Sequence, residues 1–323
     1  MDSDIVRQRT EIEGVTAGRT LCDELRRVAE TCGDVPAYSD EAGAGDGWRS
    51  LTWSQVRQRV LEVAAGFAAL GLAPGGRVAL MLPNRSEHVL ADLGAIHAGG
   101  LGVTLYATLA PEQIGYVAAD CDAQIAVLDG AAELARWQPV LDQLPGLTMI
   151  IVRDPVACPA DDPYMTWDGL VALGRERLAA DPDEITARVA AIRPGDPLAL
   201  LYTSGTTGNP KGVETTHHNL VSLMEIMRPA WPHATPYLSP LAPHAGASEG
   251  DSRRPDVFFG TLPYYHIYGA IKLLLFPLSL GVPAVIMGGF EPGRFCQAIE
   301  RYKATVLLLV PPMLVVLARH EGA

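Results

Sequence analysis

Apolar and polar positions fall in blocks along the chain, and their period switches between helical and strand-like. Residues 21–31 carry apolar side chains at helical spacing and read as an amphipathic helix. Residues 54–70 read the same way, with Thr52 placed to cap the helix and Gly71 to stop it. Residues 77–82 (RVALML) form a short apolar run between Gly76 and Pro83, consistent with a buried strand. A helical stretch at 87–98 ends at Gly99-Gly100, and 101–105 is strand-like. Residues 111–119 are helical with Pro111 at a first helical position, and 123–128 and 149–152 are further strand candidates. Strands alternating with helices predict mostly parallel sheets covered by helices on both faces.

The pattern changes near residue 190. Arg193-Pro194-Gly195-Asp196-Pro197 is rich in turn residues and precedes the apolar run 198–202 (LALLY). A loop of Gly, Ser, Thr, Pro and one Lys follows, then a helical stretch at 218–227. Residues 229–255 are rich in Pro, Ala, Ser, Gly and His and read as a long surface loop or insertion. Beyond them come strand candidates at 257–262, 282–287 and 305–310, and helical stretches at 270–280 and 295–303. The expected fold is α/β, two layered subdomains with mostly parallel sheets covered by helices. Residues 1–192 are expected to form the first and 193–323 the second.

Composition narrows the class. The chain has 323 residues, 48% hydrophobic and 19% charged, which suits a soluble globular protein. Its net charge of −12 gives no overall attraction to nucleic acid or to an anionic membrane. The five cysteines include no C-x-x-C pair, so neither a disulfide framework nor a zinc site is expected, and a reduced, cytoplasmic protein is. The N-terminus lacks the apolar core of a signal peptide. The greasiest stretches, 270–287 and 304–318, are interrupted or short for a bilayer span of about 20 residues.

The chemistry concentrates in residues 202–212, Tyr-Thr-Ser-Gly-Thr-Thr-Gly-Asn-Pro-Lys-Gly. Gly205, Gly208 and Gly212 let the backbone turn tightly and let N–H groups approach an anion. Thr203, Ser204, Thr206 and Thr207 supply four hydroxyls, and Lys211 a cation, with no carboxylate in the run. This set describes a cradle for a polyphosphate. A flexible Gly/Ser/Thr linker is the plainer alternative, but a linker seldom follows a buried-strand signal or ends on Pro-Lys-Gly. A Walker A loop is excluded: Pro210 stands where its second glycine belongs, and Gly212 where its Mg²⁺-binding Ser or Thr belongs.

Residues 202–212 resemble the signature loop of adenylate-forming enzymes: acyl-CoA synthetases, hydroxycinnamate–CoA ligases, luciferases and peptide-synthetase adenylation domains. Neighbouring segments agree. Thr216-His217-His218-Asn219 is similar to the T-H-x-N that follows that loop. Leu51-Thr52-Trp53, Gly75 to Ala79, Leu82-Pro83-Asn84 with Glu87, and Leu93 to Gly100 resemble earlier motifs. Residues 105–116 are similar to long-chain acyl-CoA synthetases in particular. Leu262-Pro263-Tyr264-Tyr265-His266-Ile267-Tyr268-Gly269 resembles the L-P-x-x-H-x-x-G motif at the acyl pocket, and residues 305–312 the strand after it. The resemblance runs from about residue 50 to 320.

That resemblance implies ATP-dependent activation of a fatty or aryl acid to acyl-AMP, with pyrophosphate released and CoA then displacing AMP. The partners implied are a small carboxylic acid, ATP with Mg²⁺, and CoA, in fatty acid metabolism. Thr203, Ser204, Gly205, Thr206, Thr207, Gly208 and Lys211 would hold the phosphates, with Lys211 and His266 catalytic. His266, Tyr268 and Gly269 would form the acid pocket. Ordinary packing is the preferred role for Tyr264 and Tyr265, a structural role is as good as any other for His217 and His218, and Glu214 reads as a solvated strand residue. No residue is assigned to a metal. The family's Glu for Mg²⁺, its ribose-binding Asp, its hinge and its terminal catalytic Lys have expected places beyond Ala323. The chain is therefore expected to be truncated, without the small C-terminal domain unless a partner chain supplies it. Met287-Gly288-Gly289-Phe290 has Gly where many CoA ligases carry Lys or Arg before the Phe. A non-catalytic nucleotide-binding fragment or interaction module is the second function class.

Overall fold

In a computed structural model, which describes residues 3–41, 47–203, 209–228 and 256–320, the apolar runs become the strands of two sheets. The chain divides into two compact units, residues 57–216 and residues 1–56 with 217–323.

The first of these carries a seven-stranded sheet. In chain order its strands are β3 (Arg77–Met81), β4 (Leu101–Thr104), β5 (Ala123–Leu128), β6 (Met149–Val152), β7 (Tyr164–Thr166), β8 (Pro197–Thr203) and β9 (Lys211–Thr216). Their spatial order is β7-β6-β5-β3-β4-β8-β9, and every pair is parallel except β8 with β9. The central strands are buried on both faces, which is why they read as continuous apolar runs rather than alternating ones. One face packs on a core that includes Met81, Val103, Leu128, Trp137 and Tyr202. The strand order reverses around β3: the chain steps to β4 on one side, then crosses to β5 on the other. Such reversals put a crevice at the carboxyl ends of the strands. Ion pairs tie those ends together here, with Arg85 Nη1 and Arg153 Nε donating to Asp129 Oδ1 at 3.1 and 2.9 Å.

The other unit holds a five-stranded sheet in the order β12-β10-β11-β1-β2, with β1 (Pro36–Glu41), β2 (Trp48–Thr52), β10 (Phe258–Gly260), β11 (Ala284–Ile286) and β12 (Val306–Leu308). All pairs are parallel except β1 with β2. Phe259, Val285, Met287, Phe295, Ala298 and Met313 form a core on it. A buried ion network adds to the packing of this unit. Glu225 accepts from Arg19 at 3.0 Å and from both Arg228 Nε and Nη2 at 3.1 Å, and Arg228 Nη1 also donates to the Ser279 carbonyl.

The sheets divide elsewhere than at the expected boundary of 192/193. β8 and β9 complete the sheet begun by β3, because β8 pairs with β4. β1 and β2, early in the chain, join β11 instead. The physical reason is that backbone pairing, not sequence order, decides which sheet a strand joins. The helix expected at 270–280 is also divided: Ala270–Leu275 is wound as a wider π-type helix, and a short α-helix follows at Phe276–Leu280. Pro277 offers no N–H to the turn before it. Gly281, at φ +70°, ends the segment. The expected insertion at 229–255 lies outside the described residues. Among the described residues no helix is long and apolar enough to cross a membrane.

Candidate active site

The glycine- and hydroxyl-rich segment links two strands that pair as a β-hairpin. β8 and β9 pair antiparallel, with Tyr202 opposite Gly212 and Thr203 opposite Lys211. β8 runs parallel to β4, so its last residue, Thr203, stands at the carboxyl edge of the sheet. Thr203 and Lys211 are both exposed at the mouth of the hairpin. Ser204, Gly205, Thr206, Thr207 and Gly208, between them, lie outside the described residues. The hairpin accounts for the departure from Walker A. That loop leads straight into a helix N-terminus, whose N–H groups share in holding phosphate. Here the next helix, His217–Met227, begins only after β9, so no helix N-terminus directly follows the loop.

The stem of the hairpin is fixed from below. Tyr202 is buried, and its hydroxyl donates to Asp120 Oδ2 at 2.5 Å, at the end of the helix Pro111–Asp120. Burial, then the hydrogen bond to Asp120, hold the phenol well above its usual range, so it stays a donor. Gly212 makes room for this ring. A Cβ there would come within 2.9 Å of Leu200 Cδ1 and 3.3 Å of Tyr202 Cζ. The final glycine of Pro-Lys-Gly is thus a packing requirement of the stem. No spacing in the sequence marks Asp120, which lies 82 positions from Tyr202.

In the other unit, His266 caps the short helix Ile267–Gly269, its Nδ1 accepting from the Tyr268 N–H at 3.2 Å. An accepting Nδ1 places the ring proton of the neutral form on Nε2. His266, Ile267 and Tyr268 are exposed. Gly269 is required by a close approach, since a Cβ would fall 2.2 Å from the Pro263 carbonyl oxygen. Tyr264 is buried and burial raises its phenol well above the usual range, whereas Tyr265 is half-buried. His217 is buried, its Nδ1 accepting from the Leu21 N–H at 3.1 Å, while His218 is exposed. Glu214 is an exposed residue of β9.

Among the described residues no group of three or more His, Cys, Asp or Glu side chains is arranged to hold a metal ion. The hairpin's donors, a lysine amine and hydroxyls, suit phosphate oxygens instead.

The sequence profile of the AMP-binding enzyme family matches residues 25–323. The chain belongs to that family. Family relatives include 4-coumarate-CoA ligase 1 of Narcissus pseudonarcissus, 31% identical over 294 residues, covering 88% of this chain and 47% of that enzyme. Long-chain-fatty-acid–CoA ligase ACSBG2 of Xenopus laevis is 35% identical over 202 residues, covering 62% of this chain and 26% of that enzyme. The chain thus spans about half, or less, of the length of these relatives. Among solved structures, the anthranilate CoA ligase AuaEII with anthranoyl-AMP superposes with a TM-score of 0.74 at 21% identity, over 94% of this chain and 53% of that one. The N-terminal domain of FACL13 from Mycobacterium tuberculosis gives 0.68 at 25% identity, over 94% and 66%. The mixed α/β architecture with two mostly parallel sheets is therefore the fold of adenylate-forming enzymes.

Proposed function

We propose that this protein takes part in the ATP-dependent activation of a carboxylic acid to an acyl adenylate, which CoA then converts to a thioester. The observation that carries the reading is the Thr203–Lys211 pair at the mouth of a hairpin on the carboxyl edge of a parallel sheet, in a chain of the AMP-binding family. A carboxylate is a poor electrophile; joined to AMP it becomes a mixed anhydride with a good leaving group. The attack is by the acid oxygen on the α-phosphorus, so the protein's part is to position the reactants and stabilise charge. Thr203, Ser204, Gly205, Thr206, Thr207, Gly208 and Lys211 hold the β- and γ-phosphates. Mg²⁺ would arrive on the nucleotide's own phosphate oxygens. His266, with its Nε2–H directed away from the cap, is suited to donate to the acid or the α-phosphate. Tyr268 and Gly269 contribute to the acid pocket.

The acid is fatty or aryl, the two classes named in the relatives, which points to fatty acid or aryl acid metabolism. The described cysteines are all free thiols, in keeping with a reducing, cytoplasmic setting. Isotope exchange between pyrophosphate and ATP, run against a panel of fatty and aryl acids, tests the reading. Exchange dependent on one class of acid supports it. ATP binding without exchange under any acid favours a nucleotide-binding role without catalysis.

A further inference from the structure

A cavity of about 790 Å³ opens at the opposite end of the seven-stranded sheet from the hairpin turn. It sits at the amino ends of β3, β4 and β8, among Arg77, Leu101, Pro197 and Leu200, with Glu214 of β9 beside them. From Pro197 to the turn at Thr203, β8 extends about 20 Å, so the cavity is separate from the proposed phosphate site. Its size falls within the range of small-molecule pockets, roughly 300–1,000 Å³.

The cavity has apolar walls and one half-buried charge without a partner. Leu101 and Leu200 line one side, and the helix Glu184–Ala191 presents Ala187 and Ala191, one turn apart on one face, so small side chains leave the volume open. Four other charged residues border it. Arg188 donates to the Leu72 and Ala98 carbonyls at 3.0 and 3.1 Å and to Glu184 at 3.3 Å. Glu184 also accepts from Arg177 at 2.6 Å. Asp196 accepts the Arg193 N–H at 2.7 Å and closes the turn before β8. Glu214 is exposed, where water screens it. Arg77 is half-buried at the start of β3, and its guanidinium makes no hydrogen bond or ion pair with any described residue. Even half-buried, a guanidinium with unspent donors gains when an acceptor reaches it.

We propose that this cavity is a second ligand site, which takes a small amphipathic monoanion with its acidic group on Arg77 and its apolar body along Leu101, Leu200 and the Ala187–Ala191 face. The apolar walls fit a chain or ring system, and the planar fork of Arg77 matches a carboxylate or sulfonate.

The test is calorimetric titration of the 323-residue protein with octane-1-sulfonate, which cannot form an acyl adenylate, in the absence of ATP. Octyl glucoside serves as the uncharged control. Binding of the sulfonate but not the glucoside is expected. Arg77→Gln should weaken it about tenfold or more, and Arg77→Lys should weaken it less. Ala187→Trp should abolish binding by filling the space, with a melting temperature to check that the variant folds. Saturating ATP should leave the affinity unchanged. No binding to the parent, equal binding by Arg77→Gln, or displacement by ATP would overturn the proposal. Because no step uses ATP or an activated acid, its failure would leave the adenylation reading standing, and the reverse holds too.

Discussion

Tyr202 donates its hydroxyl proton to Asp120 and lays its ring over Gly212, so one side chain fixes both strands of the hairpin that bears Lys211. Removing the hydroxyl in Tyr202→Phe should cost about 1 kcal/mol of stability, because the exposed Asp120 can turn to water instead. Gly212→Ala should cost more, about 1–3 kcal/mol, since the added Cβ must displace Leu200 or the Tyr202 ring. Urea denaturation of the two variants measures the ranking.

The network around Glu225 predicts a larger loss. The Glu225 side chain is 0% exposed and that of Arg228 5%. Glu225→Gln leaves Arg228 buried beside a neutral group, and breaking a buried pair costs about 3–5 kcal/mol. Denaturation curves should show this loss with little dependence on salt, because buried charges are poorly screened.

His88 is buried, and its Nδ1 hydrogen-bonds the Leu82 carbonyl at 3.1 Å. Burial pushes its imidazole from an ordinary 6.5 down to about 4. Between those values the unfolded chain takes up a proton that the folded chain refuses, so stability falls as pH drops through the interval. The contribution is on the order of 2–3 kcal/mol between pH 7.5 and 4.5. His88→Asn, which keeps an N–H for Leu82 but does not titrate, should show a smaller loss over the same range by urea denaturation.

His266 combines a cap with a proposed chemical role, and two substitutions separate them. His266→Ala removes the bond to the Tyr268 N–H and should cost about 0.5–2 kcal/mol. His266→Asn can restore that cap but not the imidazole N–H that the proposed acid pocket would use. Both should slow pyrophosphate exchange by tenfold or more, on the scale of about 10²–10³ known for a lost transition-state donor, and only Ala should lower stability.

How far these features could be read from sequence depends on what surrounds each segment. β5 and β6 were legible to the residue, since a strand covered on both faces is a nearly continuous apolar run, broken in β5 only by the half-buried Gln124. β1 was not: it mixes buried Ala37 and Tyr38 with Ser39 and Asp40, and Asp40 is neutralised by two bonds from Arg49 of β2. Its partner β11 lies more than 240 positions away, and nothing local announces that pairing. The helix Pro311–Leu317 was hidden by its two leading prolines, which end a strand as readily as they start a helix. Residue types alone mark 202–212 as a candidate phosphate loop. The hairpin was less legible, because β9 (KGVETT) is mostly exposed and polar, and the run lacks alternation. The Tyr202–Asp120 bond joins positions 82 apart, and no local pattern announces it.

If Lys211 at the mouth of the β8–β9 hairpin grips the tail of a nucleoside triphosphate, as proposed, calorimetric titration of ATP into the parent protein and Lys211→Ala should show it. The variant should fold as the parent does and bind ATP at least about tenfold more weakly, as expected for losing a charge-assisted contact to phosphate. Equal ATP affinity in the two proteins would contradict it.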